Sequence, residues 1–206
     1  MTSILKVSEI QDPTNSNTAL TIDAAGNVTA PNLVMPAGSV LQVVHGTLPT
    51  TLAATGAAGS DYLVNIGLSA SITPKSATSK ILIQTSLYVG IDYANGLGYL
   101  QSYLIYKAGS VLNSVHGTSE NGRRPVAGSI NSYTSDSYAI HRMNMLSGTH
   151  MDTNVGTTSA TTYAIYMRSY SSGPVVYVNR TQTYQSGGTD YDHNPSSTIT
   201  LTEIAG

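Results

Sequence analysis

The sequence predicts an all-β protein whose main body is a jelly-roll-like antiparallel β-sandwich. Three observations carry that prediction. From Lys80 the residues alternate: Ile81, Ile83, Thr85, Leu87, Val89 and Ile91 point one way, and Lys80, Gln84, Ser86 and Gly90 the other. A period of two, loaded with β-branched residues, marks a long strand with one buried face. Just upstream, Tyr62, Val64, Ile66, Leu68, Ala70 and Ile72 keep the same alternation. In all, about ten strand-length segments are spaced by turn signals, and no stretch shows a helical period.

Taken in order, residues 1–36 read as a segment of their own. Residues 4–10 make a short strand, and 11–15 are dense in turn formers. Residues 18–23 alternate again, and Ala24-Ala25-Gly26-Asn27 turns the chain before Val28. With so few apolar residues this segment cannot bury a core, and it needs copies of itself or a docking site. Pro31 and Met35-Pro36-Ala37-Gly38 close it.

Residues 37–206 form the head. Residues 40–45 are its first strand, and 45–61, rich in Gly, Ala and Thr, read as a long surface loop. The two central strands follow, separated at Pro74, which has no N–H to give a ladder. Asn95-Gly96-Leu97-Gly98 turns into a strand over 99–107, and Lys107-Ala108-Gly109-Ser110 makes a hairpin into 111–115. Residues 116–137 are the longest irregular stretch, and long ordered loops are often functional. Strands follow over 138–146, with Ser147-Gly148 as a turn, then 162–170, 175–184 and 197–204. General jelly-roll topology places the first and last strands, 40–45 and 198–204, side by side.

Composition narrows the function. Only 10 % of the residues are charged, against a usual level of about 25 %. So polar a surface with so little charge suits a chain whose flanks are covered by its own copies, a homo-oligomer. Phe and Trp are absent and Tyr occurs 14 times, which points to a core of Ile, Leu, Val, Met and Ala with tyrosines at its rim or at interfaces. The net charge is −2 and the only basic pair is Arg123-Arg124, which argues against nucleic-acid binding. No apolar run approaches the ~20 residues of a membrane helix. Cysteine is absent, so disulfides and thiolate metal sites are excluded. Residues 1–10 lack the basic start and apolar stretch of a signal peptide, so export by the general secretory route is not expected.

A resemblance adds to this reading. SILKVSEIQDPTNSNTALTIDAAGNV, over residues 2 to about 30, resembles the opening module of tail-fibre and related virion fibre proteins of marine bacteriophages, as do the later VMPAGSVLQV, ITPKSATSKILI and STITLTEIAG. The resemblance implies a homotrimeric fibre, made in the host cytoplasm and carried on the virion. Its N-terminal segment would intertwine and attach to a tail or capsid protein, with Ile4, Leu5, Val7, Ile10, Leu20 and Ile22 as the contacts. Its head would face outward toward a host cell-surface polysaccharide. A capsid head fibre or decoration protein fits nearly as well; a small virion-associated polysaccharide hydrolase fits less well. No cofactor is implied.

Candidate residues in the head are few. Asp190-Tyr191-Asp192-His193-Asn194 can aim two carboxylates and an amide oxygen at one cation, but a calcium loop gathers six to eight oxygens, so a solvated loop tip or a glycan contact is the simpler expectation. Arg123 and Arg124, near Glu120, suit an acidic sugar or phosphate, or ion pairs that pin the loop. His150-Met151-Asp152 puts His150 and Asp152 on one strand face, where cross-strand contacts are expected. Tyr163, Tyr166, Tyr170 and Tyr177 suit sugar stacking if exposed, although core rim or subunit seam is the expected place for most of them. No G-x-S-x-G elbow exists and nothing selects a carboxylate pair among the scattered acids, so no catalytic residue is assigned.

Overall fold

The computed structural model describes residues 7–11, 18–30, 35–56, 62–94, 97–98, 100–131, 137–168, 174–184 and 193–206. The chain divides into two compact units, Met1–Pro36 and Ala37–Gly206. In the first, β1 (Glu9–Gln11), β2 (Thr18–Ile22) and β3 (Val28–Thr29) make a three-stranded antiparallel sheet. The β2–β3 turn is built by Asp23. Its Oδ1 accepts from the N–H of Ala25 (2.9 Å) and Asn27 (2.8 Å), and its Oδ2 from Asn27 Nδ2 (2.8 Å). Gly26 supplies the left-handed backbone at φ 86°.

The second unit is two antiparallel sheets packed face to face. Its strands are β4 (Val40–Leu48), β5 (Leu52–Thr55), β6 (Leu63–Ile72), β7 (Lys80–Gly90), β8 (Tyr93–Ala94), β9 (Leu97–Gly98), β10 (Leu100–Lys107), β11 (Ser110–Val111), β12 (Gly128–Asn131), β13 (Met143–Asp152), β14 (Thr161–Arg168), β15 (Val175–Val178) and β16 (Ser197–Ile204). One sheet runs β4-β16-β7-β13, with β5 and β15 continuing the first two rows. The other runs β6-β14-β10, with β11 and β12 along the far edge of β10. β8 and β9 form a separate two-stranded pair among the described residues. The expected pairing of first and last strands is present over Ser197↔Leu48 to Ile204↔Val40.

The alternation read from sequence sets the core. Val64, Ile66, Leu68 and Ile72 of β6 meet Ile81, Ile83, Leu87 and Val89 of β7, with Ile105, Ile165, Met167, Ile199 and Leu201 from both sheets. The two long strands do not form a hairpin; the chain between them crosses from one sheet to the other. Glu203 fastens that crossing from β16. Its fully buried carboxylate accepts from Lys75 N–H (2.6 Å) and Gln42 Nε2 (2.5 Å). Burial works against its charge, but hydrogen bonds from side chains, Gln42 among them, and from the Lys75 and Ser76 N–H groups hold its pKa below the usual value.

Several sequence expectations are corrected. β5 lies inside the predicted 45–61 loop and β12 inside the predicted irregular stretch 116–137. Both are short, and their pairing partners β15 and β10 supply the ladder that their Ala- and Gly-containing sequences do not advertise. Ser147-Gly148 is not a turn: β13 runs straight through it, and the preceding Ser137–His141 is a 3-10 turn. Gly148 is needed because a Cβ there would collide with the Tyr103 hydroxyl and press on His150. Tyrosine is not confined to the rim, for Tyr103 and Tyr163 are fully buried with their hydroxyls satisfied.

Register gives the head two distinct ends. β5, β7, β12 and β14 finish, and β6, β10, β13 and β15 begin, at one of them, where Thr55↔Val175, Gly90↔Met143, Leu100↔Asn131 and Leu63↔Arg168 are paired. At the other, the chain enters: Gly38 N–H donates to Ala205 O and Ala205 N–H to Ser39 O, both at 2.9 Å.

Candidate functional site

The end opposite the chain's point of entry is organised by Asn179. β15 stops there because Asn179 takes a left-handed backbone at φ 56°, a conformation Asn tolerates better than most residues. Its buried side chain is fully used: Nδ2 donates to the carbonyls of Leu48 (2.6 Å) and Thr50 (2.9 Å), and Oδ1 accepts from Ser197 Oγ (2.6 Å). Its own N–H donates to Tyr88 O at 2.8 Å. One residue thus ties β7, β16 and the β4–β5 turn together. The predicted strand over 175–184 therefore ends at Val178.

The next residue is thrown toward the head's end. Arg180 holds its guanidinium carbon 4.6 Å from the Tyr184 ring centre and 5.5 Å from that of Tyr177, and its Nε donates to Thr181 O at 3.1 Å. Tyr177 is buried, whereas Tyr184 is 37 % exposed. Buried Asp92 accepts the Val175 N–H at 2.6 Å; burial raises its pKa, with that hydrogen bond pulling the other way. Burial and the Asp92 charge push the Tyr177 hydroxyl up, opposed by Arg180. The Ser137–His141 turn closes the side: Gln182 N–H donates to Ile140 O (3.2 Å), and Thr183 Oγ1 bonds His141 Nδ1 (2.9 Å). An arginine over two tyrosine faces, one of them open to solvent, offers a polar ligand both a stacking surface and charge-assisted hydrogen bonds.

The sequence-predicted residues divide around this cluster. Exposed His193 precedes Asn194, whose Nδ2 lies 3.5 Å from the Tyr184 hydroxyl. Asp190, Tyr191 and Asp192 lie outside the described residues, as do Ile4, Leu5 and Tyr170. Arg124 sits 6.0 Å from the Tyr62 ring, beside the start of β6 and so in the other sheet from Arg180. Arg123 N–H and Glu120 O close a turn (2.9 Å), and Arg123 is exposed. Val7 and Ile10 are exposed, and Leu20 and Ile22 half-buried, in the first unit. Sequence reading missed Arg180 and Asp92; the usable signal was Arg180 lying between Tyr177 and Tyr184, directly after an Asn able to end a strand.

Two buried polar networks are closed rather than open to a ligand. Asp152 Oδ2 takes Lys107 Nζ and the Tyr163 hydroxyl, each at 2.7 Å, while Lys107 also donates to the carbonyls of Asn154 (2.7 Å) and Val155 (3.2 Å). Burial, then Asp152, raise the Tyr163 pKa. Thr85 Oγ1 donates to the Tyr103 hydroxyl (3.1 Å), which donates to His150 Nε2 (3.0 Å), and the other face of His150 bonds the Val115 backbone. His150 and Asp152 share one face, as the sequence indicated, and both reach the opposite sheet. Tyr166 stacks on Tyr106 with ring centres 3.9 Å apart. Among the described residues no group of three or more His, Asp or Glu side chains could hold a metal ion.

No protein-family model matches this chain, and no curated protein is similar to it.

Proposed function

We propose that this chain is a virion fibre protein of a bacteriophage, a homotrimer that attaches through residues 1–36 and presents its head to a host cell-surface polysaccharide. The strand order β4-β16-β7-β13 over β6-β14-β10-β12 supports a jelly-roll head, two interlocked Greek keys that leave few free sheet edges. The observation that carries the reading is the polarity of that head. The chain enters at one end, pinned by Gly38, Ser39 and Ala205, and the Arg180–Tyr177–Tyr184 cluster stands at the other. A tether at one end and a recognition surface at the opposite one is the layout a fibre needs. The first unit exposes Val7, Ile10 and Val28, apolar groups that an anchoring partner or sister chains would cover.

The test uses the full chain and polysaccharide extracted from the surface of a susceptible bacterium. Binding is expected, and Arg180→Ala weakens it about tenfold through loss of the guanidinium's hydrogen bonds to the ligand, while the melting temperature falls by only a few degrees as its contacts with Tyr177 and Tyr184 are lost. Absence of binding to any such extract sinks the adhesion reading, and release of oligosaccharide from it moves the chain to the hydrolases.

A further inference from the structure

A second surface, in the middle of the head, has a different chemistry. The outer face of the β4-β16-β7-β13 sheet carries two cross-strand rows of side chains in strict register. One is Thr47–Thr198–Ser86–Ser147 and the other His45–Thr200–Gln84–Thr149. Between them runs an open furrow of about 360 Å³ whose floor is Thr85 and Gly148. The floor is held from below, since Thr85 anchors the Tyr103–His150 chain and the missing Cβ of Gly148 admits the Tyr103 hydroxyl.

We infer that this furrow binds an extended, uncharged polysaccharide lying across the strands. The inference rests on the reading of the head as a glycan-binding module and adds a site separate from the Arg180 cluster. Each Ser or Thr hydroxyl both donates and accepts, and Gln84 adds an amide that does the same, which is the pattern of sugar hydroxyls. Neither Lys nor Arg lines the furrow, so a uronate or phosphate finds no counter-charge there. The rows stand about 6.8 Å apart, two residues along a strand, leaving room for a sugar ring to lie edge-on between them. Within a row the side chains repeat at the strand spacing of about 4.8 Å, close to the length of one sugar ring along an extended chain. The three strands that line it, β16, β7 and β13, therefore present successive polar pairs, Thr198 with Thr200, Ser86 with Gln84 and Ser147 with Thr149, to successive sugars. Apolar residues flank the rows: Val43, Leu82 and Met151 on one side, with Met145 and Tyr88 on the other, where they can cover the ring faces of neighbouring units.

The experiment titrates the full-length protein with cellohexaose, mannohexaose and a hexauronate, following the threonine methyl signals by NMR. At least one neutral hexasaccharide shifts Thr149, Thr198 and Thr200, and the hexauronate leaves them in place. The double variant Thr149→Val and Thr200→Val keeps side-chain shape while removing two hydroxyls, one exposed and one half-buried and bonded to His45 Nδ1 at 2.9 Å. It weakens neutral binding about tenfold with at most a small drop in melting temperature and an unchanged oligomer mass, and Arg180→Ala leaves the furrow signals responding as before. Furrow signals that respond to neither neutral sugar, or a double variant that binds like the wild type, overturn the site. A double variant that changes the oligomer mass and not the binding also overturns it, assigning the face to a second copy. Arg180-dependent binding that persists alongside any of these results leaves the adhesion reading intact, and loss of all glycan binding ends both.

Discussion

Acidification from pH 7 to 4 should destabilise the head through His116. The edge of β10 is covered by β12 up to Tyr103 and by β11 from Tyr106, which leaves the Ile105 N–H in the gap. His116 Nε2 fills it, accepting that N–H at 3.0 Å, so the nitrogen must be unprotonated. Burial, with the charges of His150 and Arg168 nearby, lowers the His116 pKa from 6.5 to about 4. A folded pKa below the unfolded one means that the unfolded chain takes up a proton first. Stability from this group is complete above pH 6.5 and falls by up to about 1.4 kcal/mol per pH unit, about 3 kcal/mol in all by pH 4. For a head of this size that is roughly 6–12 °C in Tm. His116→Gln supplies an acceptor oxygen that does not titrate. Melting curves at half-unit pH steps should show the wild type falling steeply between pH 6.5 and 4.5. The variant should fall much less, retaining only the part due to His150, whose pKa burial also lowers. Glu203 adds its own loss only below about pH 4.5, because its folded pKa is depressed. Equal slopes for the two proteins, or a wild type insensitive to pH in that window, would refute the reasoning.

Asp152→Asn should cost about 3 kcal/mol in chemical denaturation, because Lys107 keeps its charge in a largely enclosed place and loses its carboxylate; a loss below about 1 kcal/mol would show that the Lys107 charge is readily solvated once unpaired. Light scattering on the purified full chain should return a single mass three times that of the 21.5 kDa protomer, and a monomer would contradict the fibre reading. Residues 37–206 alone should melt cooperatively yet be missing from assembled particles. Particles that carry this fragment would move the attachment into the head, with residues 46–61 the first place to look.

Period-two patterning made the fold class readable, because Ile81 to Val89 and Val64 to Ile72 alternate without interruption and bury one face each. It read β13 less well. Gly148 looks like a turn residue, and its actual reason, the Tyr103 hydroxyl arriving from the opposite sheet, is a contact between positions far apart in sequence. The same blindness hid β5 and β12, whose Ala and Gly residues have weak strand preference and depend on the neighbouring strand. Asp152 could be named from sequence but not its role, since Lys107 and Tyr163 reach it only after both sheets close. The hydroxyl furrow was invisible for a related reason: serine and threonine are everywhere in this chain, and only register lines six of them, with His45 and Gln84, into two rows.

The central claim, that the head is the part of a virion which meets the host surface, is tested most directly by competition for adsorption. Susceptible cells are saturated with purified full-length protein, and the rate at which phage particles attach is then measured. Attachment should slow with the wild-type protein and slow markedly less with Arg180→Ala. Unaltered attachment at saturating wild-type protein, or slowing that the Arg180 variant reproduces in full, would contradict it.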